Sequence, residues 1–275
     1  MRFVRAVRLT VLAAAWLLPI ASQHLQDAQP QTPVEPTDSG TLQVDAPLLR
    51  EELFAVEQIA GTSDLVAASE LSESGRSPEG TTALGVVRCR RLTLPEGEQL
   101  EWDVQFLGEG ARVLHIERSG SSGNSLVWRE ILPGAGRTVT ARCLRDGSQL
   151  AMREWAGRLD QKSEIAAPQP LSLPLQLLEQ ARANAALPPQ ALVFDPLARQ
   201  LEAWTVSVEE LDSGARRVDL ARADGTLAAR WFLSGQDLVG FQWQGGNLRG
   251  RRITSEEYER LLAPPAAPPV AVPEH

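Results

Sequence analysis

Gln99-Leu100-Glu101-Trp102-Asp103-Val104-Gln105-Phe106 decides the fold class. Leu100, Trp102, Val104 and Phe106 fall on one side of an extended chain, and Gln99, Glu101, Asp103 and Gln105 on the other. A helix would scatter these eight positions around its circumference, whereas a strand, with its period of two, sorts them cleanly. The same alternation returns in Trp204, Val206 and Val208, in Leu227, Ala229, Trp231 and Leu233, and in Val239, Phe241 and Trp243. Turn-forming groups punctuate these runs at Pro95-Glu96-Gly97, Gly108-Glu109-Gly110, Gly120 to Asn124, Pro133-Gly134 and Asp146-Gly147. A second series follows at Asp212-Ser213-Gly214, Asp224-Gly225, Ser234-Gly235 and Gly245-Gly246-Asn247. Such spacing predicts successive hairpins, about ten to twelve strands in all.

Two helices interrupt the strands. Pro174 opens a run through Ala186 that contains Leu175, Leu177, Leu178 and Ala181, and Pro188-Pro189 closes it. Leu175, Leu178 and the stem of Arg182 are expected to pack on the concave face. Thr254-Ser255-Glu256-Glu257 is a capping box ahead of Tyr258, Leu261 and Leu262. The expected architecture is mainly β: a large, curved, half-barrel-like antiparallel sheet with one inserted helix and a short C-terminal helix.

The flanks read differently. Arg2, Arg5 and Arg8 precede the apolar run Leu9–Ala21, and small residues follow at Ala21-Ser22. That pattern marks residues 1–22 as a secretory signal peptide, with an uncleaved anchor as the alternative; the run falls short of the ~20 residues a membrane span needs. The expected location is therefore periplasmic or secreted, with no transmembrane span after signal removal. Residues 23–82 hold 11 acids against two Arg and a single aromatic, Phe54, which reads as an acidic, mostly disordered linker. Within it, Leu49, Leu53, Val56 and Ile59 have helical spacing and suggest a docking or transient helix over 47–60. The folded domain is expected at 83–263, and the proline-rich stretch 264–275 as an extended, disordered tail.

Charge and residue types exclude several chemistries. Without residues 1–22 the chain carries 35 acids against 24 bases, which disfavours a nucleic-acid partner. One Lys, Lys162, stands against 26 Arg, a bias that fits a GC-rich genome better than Arg-based recognition. His115 alone of the three histidines lies inside the domain, so neither a metal centre nor a Ser-His-Asp arrangement has its parts. The carboxylate pairs Glu101/Asp103 and Glu209/Glu210 read as solvated surface. No phosphate loop or dinucleotide fingerprint occurs, so no cofactor, no metal and no catalytic residue is expected. Cys89 and Cys143 share inward parity in an exported chain and predict a disulfide. Trp102, Phe106, Trp204, Val206, Phe241 and Trp243 lie on apolar parities that a curved sheet would bring together. They either line a cleft for an apolar ligand or form a plain aromatic core.

The element order resembles the periplasmic lipoprotein-carrier and outer-membrane lipoprotein-sorting half-barrel superfamily. The likeness rests on the strand beginning Leu192-Val193-Phe194-Asp195-Pro196 after the inserted helix. It rests also on Arg217-Val218-Asp219-Leu220, on Ala229-Arg230-Trp231-Phe232-Leu233 and on Val239-Gly240-Phe241-Gln242-Trp243. The resemblance implies an open, strongly curved sheet with helices in its concavity that binds a lipid or lipoprotein acyl chain without catalysis. The chain departs from that pattern in having an acidic linker where such carriers have a long N-terminal helix. No residue matches a diagnostic functional position. The alternative is a structural or interaction module that holds an envelope protein partner.

Overall fold

Alternating strands build one mainly antiparallel sheet, with a parallel pair where the inserted helix joins Leu171–Ser172 to Gln190–Asp195. The computed structural model describes residues 46–58, 83–108, 110–120, 123–143, 149–166, 171–196, 198–243 and 248–263. In chain order the strands are β1 (Leu48–Gln58), β2 (Ala83–Leu94), β3 (Gly97–Phe106), β4 (Arg112–Gly120), β5 (Ser125–Leu132), β6 (Ala135–Cys143), β7 (Gln149–Ala156) and β8 (Leu159–Ala166). Then come β9 (Leu171–Ser172), helix α1 (Pro174–Arg182), β10 (Gln190–Asp195), β11 (Gln200–Glu210), β12 (Arg216–Ala221), β13 (Leu227–Ser234), β14 (Asp237–Trp243), β15 (Leu248–Arg252) and helix α2 (Ser255–Leu262). All fifteen strands join one sheet, in the order β8-β7-β6-β5-β4-β3-β2-β1-β15-β14-β13-β12-β11-β10-β9.

The run expected as a helix at 47–60 is the strand β1, and it sits in the middle of that sheet between β2 and β15. Its helical spacing misled because a central strand is buried on both faces: Leu53 through Glu57 are all buried, so no two-fold alternation survives in the sequence. The domain therefore begins before residue 83. The signal peptide, the rest of the linker and the tail 264–275 lie outside the described residues.

The sheet is rolled. Trp102 on β3 and Trp243 on β14 stand four strand spacings apart, about 19 Å along a flat sheet. Their rings are 5.2 Å apart across the inner face. The far edge also tucks inward. Phe194 of β10 and Leu201 of β11 pack with Leu126, Trp128, Val139, Ala141 and Leu150 on the inner face of β5–β7. The two ends share no backbone ladder among the described residues. Side chains join them instead: Glu154 of β7 takes Arg199, from the β10–β11 turn, at 2.8 Å, and Arg137 of β6 donates to the Pro196 carbonyl at 3.3 Å. The result is a barrel-like domain closed by packing and ion pairs.

Both helices lie where the sequence places them, on opposite faces. On the inner face α1 buries Leu175, Leu177, Leu178, Ala181 and Arg182, and ends sooner than expected, with Asn184 in the left-handed region at φ 55°. On the outer face α2 seats Tyr258 against Leu53 and Val86, under the Arg88 guanidinium at 4.9 Å from the ring centroid. The Thr254 side chain accepts the Glu257 N–H at 3.2 Å, as the capping box predicts. A register shift at Phe232/Leu233 alters one expected parity: Leu238 reaches the inner core, and Val239 joins Ala215 and Phe232 outside.

The outer face of β3 is a second correction. Gln99, Glu101 and Asp103 are buried, not solvated. Arginines from neighbouring strands cover them: Arg90 reaches Glu101 at 2.5 Å, Arg118 donates to Gln99 at 2.6 Å, and Arg112 grips Asp103 with two bonds of 2.6 and 2.7 Å. Long side chains with apolar stems shield a polar face this way.

Candidate functional site

The six aromatic and aliphatic candidates do converge, because the sheet rolls. Trp102, Trp204, Val206 and Phe241 are buried, and Phe106 and Trp243 are partly buried against the same cluster. Trp102, Phe241 and Trp243 form a mutually tilted set with centroids 4.4 to 5.2 Å apart, and Phe54 meets Phe241 edge-on at 5.2 Å. Gly250 opposite Phe241 admits this packing; a Cβ there would sit 2.0 Å from the ring. Leu175, Leu177 and Leu178 of α1 fill the space beside the rings. The inner face is thus occupied by the chain itself, and these residues are core.

Two polar devices hold α1 in that core. Its N-terminus lacks a side-chain cap of its own. Glu117, fully buried on β4, supplies one, accepting the backbone N–H groups of Leu175 and Gln176 at 3.0 Å each. A carboxylate at a helix N-terminus satisfies orphan donors and complements the dipole. His115 sits between Trp102 and Trp128 in the cross-strand row, with Nε2 3.1 Å from Glu117 Oε1. It is buried beside the cap and faces no open space.

At the other end of α1, Arg182 pairs with Glu52 at 2.5 Å, both buried, and Arg50 and Arg91 reach Glu179 at 2.7 and 3.1 Å. A void of about 20 Å³ lies among Glu52, Cys89, Arg182 and Trp102, room for a single water. Losing one partner of such a buried pair leaves an uncompensated charge and costs about 3–5 kcal/mol.

The expected disulfide is absent: Cys89 and Cys143 are both free thiols. Their shared parity was read correctly, but β3, β4 and β5 separate the two strands. Four strand spacings along the sheet part the two backbones, and the thiols do not meet. Burial pushes the Cys89 thiol well above its ordinary value, aided by nearby Glu52 and opposed by Arg182. Burial raises Cys143 as well. Neither is an activated nucleophile. No group of three or more His, Cys, Asp or Glu side chains suited to a metal occurs among the described residues.

An open cleft of about 1320 Å³ lies on the outer side of β4–β8. Cross-strand pairing puts Val127, Thr140, Arg153 and Lys162 in one row, with Ser125, Arg142, Ala151 and Glu164 in the next. Leu94, Val127 and Trp155 contribute apolar surface, and Arg118, Arg142, Arg153 and Lys162 contribute cations against Glu96 and Glu164. Arg153 lies over the Trp155 ring at 4.5 Å and pairs with Asp160 at 2.8 Å. These residues occupy the polar parity of their strands, where alternation marks them only as surface. The one signal available was the isolated Lys162.

The fold defines a β-barrel-like domain. No protein-family model matches the chain, and no curated protein does. Three chains of solved structures match. One is the crystal structure of a β-barrel-like protein of a domain of unknown function, DUF1849, from Brucella abortus. It is 12% identical, the match covers 76% of this chain and 96% of that one, and the TM-score is 0.46. That likeness carries no argument about function.

Proposed function

We propose that the chain is an exported, non-catalytic envelope protein that binds a long-chain amphiphile with an anionic head group, and that the ligand lies in the outer cleft. The observation that carries the reading is the pairing there of apolar surface with four cations, beside an inner face already filled by α1. An acyl chain laid along Val127 and Trp155 would leave water at ~25 cal/mol per Å² of apolar area, less its ordering cost. Its head group would meet Arg142 or Lys162. The lipoprotein-carrier resemblance supports the ligand class and places it on the other face of the sheet.

The test is titration of the purified chain, lacking residues 1–22, with oleate, followed by tryptophan fluorescence and native mass spectrometry. Saturable binding is expected, abolished in Trp155→Ala and weakened about tenfold in Arg142→Glu. Absence of any bound oleate sinks the reading. The alternative, an interaction module, draws on the exposed edge of β8.

A further inference from the structure

β8 ends the sheet. It pairs with β7 from Gln149↔Ala166 to Ala156↔Leu159, and no described strand pairs with its other side. Seven of its eight residues are exposed. The opposite edge is treated differently: β9 has two residues, and Leu171 and the neighbouring strand's Phe194 are buried against β5–β7. A long exposed edge offers its outward N–H and C=O groups to another strand.

The charge pattern of β8 says which strand fits. Asp160, Lys162 and Glu164 share the outer face and alternate in sign. A second β8 laid antiparallel about Ser163 sets Lys162 opposite the partner's Glu164, and does so twice by symmetry. Opposite charges directly across a ladder favour a register, and like charges disfavour it. Pairing about Lys162 would oppose two ammonium groups. Pairing about Gln161 would set Lys162 opposite Asp160, whose carboxylate already holds the Arg153 guanidinium at 2.8 and 2.9 Å. Neither Lys162 nor Glu164 has an ion-pair partner within its own chain among the described residues. A lysine in mid-edge ordinarily blunts association; here the alternation turns it into a register pin.

We propose that two copies of this chain join edge to edge through β8, antiparallel and centred on Ser163, so that two rolled sheets become one. Lys162, Ser163 and Glu164 also line the outer cleft, so the dyad sets two clefts side by side. The pairing is read without lipid and stands or falls separately from ligand binding.

Sedimentation of the chain lacking residues 1–22 should show a concentration-dependent monomer–dimer equilibrium. Lys162→Glu should weaken it about tenfold, and Lys162→Glu with Glu164→Lys should restore it. In a Cys143→Ser background, Ser163→Cys should form a disulfide-linked dimer on oxidation, because α-carbons paired across the dyad lie about 4.5–5.5 Å apart. Gln161→Cys should not, since its twin would lie about 14 Å away along the strand. Sedimentation as a monomer at the highest soluble concentration overturns the proposal. So does a dimer indifferent to Lys162→Glu, or cross-linking of Gln161→Cys as readily as Ser163→Cys.

Discussion

Single residues in this protein are legible as parities, and parity does not measure distance. Cys89 and Cys143 illustrate the difference. Each side chain points the way alternation implies, yet they stand on strands separated by three others. Denaturing the protein without reductant should release two thiols per chain, and an intact mass lower by two hydrogen atoms would contradict that. In the native state the Cys89 thiolate is scarce, because burial raises its proton affinity. Reaction with a thiol reagent should therefore be slow at pH 8, accelerate as pH rises, and become fast on unfolding. The same shift has a stability consequence. Above the pH where an unfolded thiol ionises, the unfolded chain binds fewer protons than the native one, so stability falls as pH rises towards the raised native value.

At the scale of elements, α1 shows how local sequence and distant residues divide the work. Pro174 at the first turn and the spacing of Leu175, Leu178 and Ala181 are local signals, and the helix follows them. Its N-terminal cap comes from Glu117, 58 positions away in sequence from Leu175. No short-range pattern announces that contact. Leu178→Ala should cost about 2–5 kcal/mol in chemical denaturation, as buried leucines do. A cost within about 0.5 kcal/mol would place the side chain outside the core. Glu117→Gln should cost about 1.5–3 kcal/mol despite its matched shape, because one helix N–H then faces an amide donor.

At the scale of the molecule, β1 is the keystone of the sheet. It joins β2 on one side and β15 on the other, and among the described residues the two halves of the sheet share a backbone ladder only through it. A chain beginning at Ala83 should therefore fail to fold cooperatively. Removing a central strand forfeits Phe54 and Val56 from the main core, more than a net stability of about 5–15 kcal/mol can lose. A chain spanning 46–263 should melt in a single transition by circular dichroism. A cooperative melt of the shorter chain would show that β1 is dispensable.

Alternation and turn chemistry in the sequence by themselves determined that this is a mainly β meander with one inserted helix and a capped C-terminal helix. Those features depend on residues within a few positions of one another, where period and turn type leave little freedom. β1 escaped because burial on both faces erases the period that identifies a strand. β8 is the converse case: it is so exposed that almost no apolar residue marks it. Only the tertiary structure decided that the sheet rolls until Trp102 meets Trp243, and that α1 fills the concavity. It also decided that the polar face of β3 is buried under arginines and that the cleft opens on the outer side. Curvature accumulates strand by strand from twist and bulges. The partners it brings together are therefore set by the whole sheet and by no single stretch of chain.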